Sequence, residues 1–329
     1  MGVLTMSESP GLPPEAFSKG LFRLGFNAMG TRCEILYAAS SVEHADPFRR
    51  DALAWVRRFE ARYTRFREDS LIGRINAAAG KDAVEIDEED ARLFDLCETL
   101  HFHTEGLFDP TTLPLSLLWN FKADQPRIPE EADIQAARGK VGWKKVQRDG
   151  GSIRLPEEGM GLDFGGFGKE YAVDRVAELA RQHGLENALI DFGGDVRALG
   201  HPPDSPVWRI GVEDPRQPGK ARFLLGLSNH AVATSGNYLR FFEHEGKRYG
   251  HLLDHRTGYP ASNACLSATV TCRSCLESGV LATCALLDGA DDGLARLERF
   301  FGAEGCIRTD SGIKWTKRFN EQLIDDQKD

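Results

Sequence analysis

The chain has no apolar run of about 18 residues, the length a membrane-spanning helix needs, so no span of that kind is predicted. Its first 30 residues include Glu8, Pro10, Pro13, Pro14 and Glu15 and lack the unbroken apolar stretch of a secretory signal. A cytoplasmic protein is expected. Positive charge is also in short supply: 41 Lys and Arg against 50 Asp and Glu give a net charge of -9 and a pI of about 5.6. Nucleic acid is not expected as a partner, because a polyphosphate backbone is usually met by a clustered excess of basic side chains. A disulfide framework is not indicated either. The seven cysteines (Cys33, Cys97, Cys265, Cys272, Cys275, Cys284, Cys306) are odd in number and scattered, which suits reduced thiols buried as small apolar groups. Cys272 and Cys275 have the spacing of half a zinc site, but no second pair with that gap completes it.

What is present is ordinary globular composition, with 41% hydrophobic and 28% charged residues. Residues 1–19, polar and rich in proline, are expected to be a mobile segment ahead of one domain over 20–329. Leu21 to Leu36 reads as strand pieces around a turn at Met29-Gly30-Thr31. Apolar residues at three- and four-residue spacing predict amphipathic helices over about Pro47–Arg67 and Glu88–Thr104, the second stopped by Gly106. Pro110 and Pro114 predict irregular chain from Leu107 to Phe121. Gly161 to Phe164 is a strand candidate, Gly165 to Gly168 a tight turn, Lys169 to His183 a helix, and Ala188 to Phe192 a buried strand closed at Gly193-Gly194-Asp195. Strands follow at 207–212, 222–227, 231–234 and near Leu252, then a strand at 266–272, helices over 274–287 and 291–301, and a closing hairpin. Helices and strands are interspersed without strict βαβ alternation, so a mixed α+β fold is expected.

Three polar constellations could carry chemistry. A strand, a glycine turn and a helix at Leu162–Asp174 suit an anion, because the first turn of a helix presents unpaired N–H groups and a partial positive charge, and Lys169 adds to it. A Rossmann fingerprint is disfavoured there, since Tyr171 stands where the third glycine must allow close packing. Ala233-Thr-Ser-Gly-Asn-Tyr238 follows an apolar strand. In the segment from His251 to Pro260, His251 and Asp254 are spaced to act as proton acceptor and orienting group, or simply as a surface pair.

Read in order, these segments resemble the ApbE family of FAD:protein FMN transferases. Met29-Gly-Thr31, Phe66 to Asn76, Phe108-Asp-Pro-Thr111 through Trp119, Leu162 to Asp174, Asn187 to Asp195, Ala233 to Tyr238 and His251 to Pro260 each look like a motif of that family. The resemblance implies an ApbE-like, T-fold-related two-lobed fold with a ligand cleft between the lobes. It also implies FAD as ligand, Mg²⁺ at its pyrophosphate, and transfer of FMN to a Ser or Thr hydroxyl of an acceptor flavoprotein with release of AMP. Carried over by position, Met29, Phe66, Asp109, Asp163, Lys169, Asp195, Ser235 and Asp254 line the flavin and adenosine sites. His251 helps activate the acceptor hydroxyl, with Asp254 beside it. A main-chain oxygen near Gly166 and the hydroxyl of Thr283 belong to the metal shell. Two positions depart from the pattern: Gly279 stands where an Asp ligand is usual, and Glu170 where glycine is common. Glu277 is a possible replacement ligand, and an FAD-binding protein without transfer or an FAD pyrophosphatase are the alternative functions.

Overall fold

The structure, a computed structural model, describes residues 15–18, 20–123, 125–217, 219–238 and 240–324. Of the segment 1–19, residues 1–14 and 19 lie outside the described residues, whereas Glu15–Ser18 forms strand β1 against β2 (Leu21–Ala28). Met29 and Gly30 both take positive φ, 51° and 72°, and turn β2 into β3 (Thr31–Ala38). That conformation matches the twist of paired antiparallel strands. Gly193 and Gly194 repeat the device at 65° and 91° between β4 (Ala188–Phe192) and β5 (Asp195–Leu199). Strands β6 (Ala231–Gly236), β7 (Cys265–Cys272), β8 (Glu304–Thr309) and β9 (Ile313–Trp315) complete a nine-stranded sheet whose order follows the chain. Every neighbouring pair is antiparallel.

Because side chains alternate between the faces of a strand, each face gathers its own core. On one face Cys33, Ile35, Tyr37, Ala188, Ile190 and Phe192 pack with Phe48, Val56 and Phe59 of α1 (Val42–Tyr63) and Ala172, Val173 and Val176 of α6 (Gly168–Gln182). Ala268, Val270 and Cys272 extend that layer against Leu281, Ala282 and Ala285 of α7 (Cys275–Asp288) and Leu297 of α8 (Ala290–Leu297). Val196, Ala198 and Val232 project to the opposite face, where Trp208, Val212, Leu225 and Leu227 of a small three-stranded sheet cover them. Helices, large sheet and small sheet thus form three layers of a mixed α+β fold, as expected. All seven cysteines are buried and free, and burial pushes thiols such as Cys272 and Cys284 up to about 12.

The remaining helices are α2 (Leu71–Ala77), α3 (Glu88–His103), α4 (Leu113–Trp119) and α5 (Glu131–Gly139). Three local expectations are corrected. Helix α1 begins at Val42, not near Pro47: Ser41 accepts from His44 N at 3.3 Å, and Pro47 merely removes one bond near the helix start. A regular helix does form after Pro110, because Pro114 falls in the first turn of α4, where no N–H donor is required. Residues 161–164 join no strand ladder. Asn76 does the work of a partner strand there, donating from Nδ2 to Leu162 O at 3.0 Å and accepting from Leu162 N at 2.7 Å.

Candidate active site

The segment entering α6 is held from both sides. Asp163 accepts from Gly165 N at 2.9 Å through one carboxylate oxygen and pairs with Arg65 Nε at 2.9 Å through the other. Phe164 and Phe167 anchor the turn in the core with ring centroids 4.7 Å apart, leaving Gly165 and Gly166 exposed. No side chain caps the N-terminus of α6. Gly168 N donates back to Phe164 O at 2.7 Å, and the partial positive charge of the helix end faces the glycine turn.

Around that turn the tertiary structure assembles a polar cluster from four elements. Lys169, in the first turn of α6, donates to the Asp195 carboxylate at the start of β5. Asp195 also accepts from Thr234 N on β6 at 3.4 Å. The next residue of β6, Ser235, shares a hydrogen bond of 2.7 Å with Thr283 on α7. Glu170 lies with its carboxylate 3.9 Å from Lys169 Nζ and its stem against Gly279, one turn before Thr283 on the same face of α7. Burial raises the Glu170 carboxyl above its ordinary range, and the nearby Lys169 charge only partly opposes this. Lys169, Asp195, Ser235 and Thr283 are thus brought together, with Gly166 at the mouth of α6. Glu277 is not: it is exposed and trades hydrogen bonds with Ser274 at the start of α7, so the expectation of a replacement ligand there is corrected. Asp174, the last residue of the central motif, caps α7 by accepting from Cys275 N and Leu276 N, both at 2.9 Å.

Other candidates are committed to the fold itself. Met29 N donates to Glu60 Oε1 at 2.7 Å, and the Met29 side chain packs on the core. Asp109 is buried and fully engaged, accepting from Thr111 N at 2.8 Å, from Thr111 Oγ1 at 2.5 Å and from Trp143 N at 2.9 Å. Phe66, by contrast, is 69% exposed, with the Arg65 guanidinium 4.3 Å and the Lys122 ammonium 5.2 Å from its ring centroid. Among the described residues no group of three or more His, Cys, Asp or Glu could hold a metal by itself.

The His251–Asp254 pairing expected from spacing is corrected. The Asp254 carboxylate is turned to Arg256, accepting from its N, Nε and Nη2 at 2.9 to 3.0 Å. His251 Nδ1 is buried and has no hydrogen-bond partner among the described residues, and the same holds for Asn237 Oδ1. A Cβ on Gly250, the residue before His251, would lie 2.6 Å from Asn237 Oδ1. Asn237 lies inside the Ala233–Tyr238 motif, yet nothing local marked its amide as buried. Burial, with the Arg240 charge adding, pushes His251 down to about 4. Above about pH 6.5 the ring is neutral in folded and unfolded chains alike, so it does not affect stability there. As the pH falls from 6.5 toward 4 the unfolded chain takes up a proton that the folded chain refuses, and stability drops. Chemical denaturation is expected to show a loss near pH 5 of about 2 kcal/mol that disappears in His251→Gln. An identical pH slope in both proteins would contradict the assignment.

Among the described residues no helix is long and apolar enough to cross a membrane. The sequence profile of the ApbE family matches residues 29–307. Among curated proteins, the FAD:protein FMN transferase of Klebsiella pneumoniae is 33% identical over 247 residues, 74% of this chain and 76% of its own. That of Treponema pallidum is 28% identical over 312 residues, 87% and 85% of the two chains. The crystal structure of an ApbE protein from Thermotoga maritima superposes with a TM-score of 0.84 at 30% identity, covering 93% of this chain and 100% of that one. The flavin transferase ApbE from Vibrio cholerae gives a TM-score of 0.80 at 26% identity over 92% and 99% of the two chains. A match of this extent in both sequence and architecture shows that the chain belongs to the ApbE family.

Proposed function

We propose that this chain binds FAD at the mouth of α6 and transfers its FMN part to a Ser or Thr hydroxyl of an acceptor flavoprotein. The observation that carries this reading is the uncapped N-terminus of α6, flanked by exposed Gly165 and Gly166 and by Lys169 held on Asp195. A pyrophosphate needs such a place, where backbone N–H groups and a fixed ammonium meet its charge without a side chain intervening. Phe66 offers an exposed ring face for a flavin or adenine to stack on. Asp163, Asp109, Met29 and Asp254 act by fixing the turns that border the site.

In the transfer, the acceptor oxygen forms a bond to the FMN phosphorus as the bond from that phosphorus to the bridging oxygen breaks. AMP leaves with the bridging oxygen, and the hydroxyl proton goes to a base. His251 fits that role because burial keeps its imidazole neutral throughout the neutral range and Nδ1 carries no competing bond from the described residues. Mg²⁺ prefers hard oxygen donors, and the residues present fit it: Thr283 offers a hydroxyl, Gly166 a main-chain oxygen in an exposed turn, and Glu170 a buried carboxylate oxygen without a partner among the described residues. When bound, the ion neutralises charge on the phosphate oxygens.

Incubation with FAD, MgCl₂ and candidate acceptor flavoproteins is expected to give a band that stays fluorescent on a denaturing gel, with AMP released in equal amount. AMP and free FMN formed without acceptor would instead mark an FAD pyrophosphatase, and FAD uptake with no AMP at all an FAD-binding protein without transfer.

A further inference from the structure

The two departures from the family pattern meet in space. A Cβ placed on Gly279 would lie 2.6 Å from Glu170 Cγ and 3.0 Å from its Cδ and Oε1. The Glu170 side chain therefore occupies the room that a side chain at 279 would take. Read against the pattern, in which glycine is common at 170 and aspartate at 279, the chain has moved one carboxylate from α7 to α6 rather than lost it.

The state of that carboxylate is unusual. Glu170 is only 9% exposed, and its Oε2 is buried with no hydrogen-bond partner among the described residues. A buried carboxylate oxygen left bare calls for a cation. Lys169 does not answer the need, because its ammonium stands 3.9 Å from Oε1 and is hydrogen-bonded to Asp195. One turn along α7 from Gly279 is Thr283, whose hydroxyl is shared with Ser235. A single carboxylate beside neutral hydroxyl and carbonyl oxygens is a sparse set for a free-standing metal site. It suits a divalent ion that takes one or two protein carboxylates and completes its shell with water and substrate phosphates.

We propose that Glu170 is the carboxylate ligand of the divalent cation that accompanies the FAD pyrophosphate, supplied from α6 in place of the usual α7 aspartate. This rests on the FAD reading above. It also changes what Gly279→Asp does. Added alone, that aspartate meets the Glu170 stem and sets a second carboxylate beside a buried first one, so it lowers the melting temperature rather than repairing the site.

The test measures binding rather than turnover, with Mn²⁺ as the probe and electron paramagnetic resonance counting free ion. FAD affinity without metal is measured first, by quenching of flavin fluorescence. The wild-type chain saturated with FAD is expected to take up one Mn²⁺, and Glu170→Gln, nearly isosteric and saturated with FAD according to its own metal-free affinity, to weaken that uptake by about 10- to 100-fold. The double variant Glu170→Gly with Gly279→Asp, which returns the carboxylate to α7, is expected to recover wild-type Mn²⁺ affinity within a few-fold. This guards against reading a folding defect of Glu170→Gln as ligand loss. Unchanged Mn²⁺ affinity in Glu170→Gln, or no recovery in the double variant, overturns the assignment and leaves the FAD reading standing. Absence of FAD binding by the wild-type chain overturns the FAD reading itself, and this inference with it.

Discussion

His251→Ala is expected to slow FMN transfer by about 10²- to 10⁴-fold, the range for loss of a positioned proton acceptor, while FAD affinity changes little. The ring is buried, its Nδ1 has no hydrogen-bond partner among the described residues, and its backbone N donates to Arg240 O at 3.0 Å, so the imidazole is held while that nitrogen stays uncommitted to a described group. Asp254 does not share the task directly, because its carboxylate is engaged by Arg256. Asp254→Asn should therefore act through the turn that Asp254 closes, whereas His251→Ala should act on kcat. Single-turnover release of AMP, measured beside FAD titration, separates the two. A His251→Ala protein that retains transfer within a few-fold of wild type would remove the imidazole from the mechanism.

The second large effect is on stability. Asp109→Ala leaves the buried N–H groups of Thr111 and Trp143 and the Thr111 hydroxyl without their acceptor. Each buried donor left unsatisfied costs about 1–3 kcal/mol, so a total loss on the order of 3 kcal/mol is expected after relaxation and entry of water. Those bonds tie the loop before α4 to the chain around Trp143, itself buried and hydrogen-bonded through its indole to Glu98 at 2.8 Å. The family resemblance places Asp109 at the flavin, and its hydrogen bonds to Thr111 and Trp143 give it a part in the fold as well. Denaturant titration of the variant without ligand distinguishes the roles: unchanged stability together with lost FAD binding would show that the carboxylate serves the ligand and not the fold.

The parts of this protein that could be read along the chain are those fixed by near neighbours. Gly30 and Gly193-Gly194 announce hairpins because positive φ is cheap for glycine, and both hairpins form, with Met29 also at φ 51°. Helix α6 follows from the recurrence of Ala172, Val173, Val176, Ala177 and Ala180 on one face and from Gly184 beyond its end. Where the reading failed, a side chain outside the expected pairing had taken the group in question. Residues 161–164 look like a strand, yet the side chain of Asn76 satisfies them. His251 and Asp254 look like a pair until Arg256 claims the carboxylate.

From the order of its motifs alone, the sequence determined the family, the mixed α+β class and the glycine turn that opens α6, since each depends on residues a few positions apart. Only the tertiary structure decided that Asp109 accepts from Trp143 N, that Asp174 caps α7, and that Glu170 fills the space beside Gly279. The reason is that backbone preferences act over one or two turns of chain, whereas the partner of a buried charge is chosen by packing, which joins helices from separate parts of the sequence on one face of a sheet.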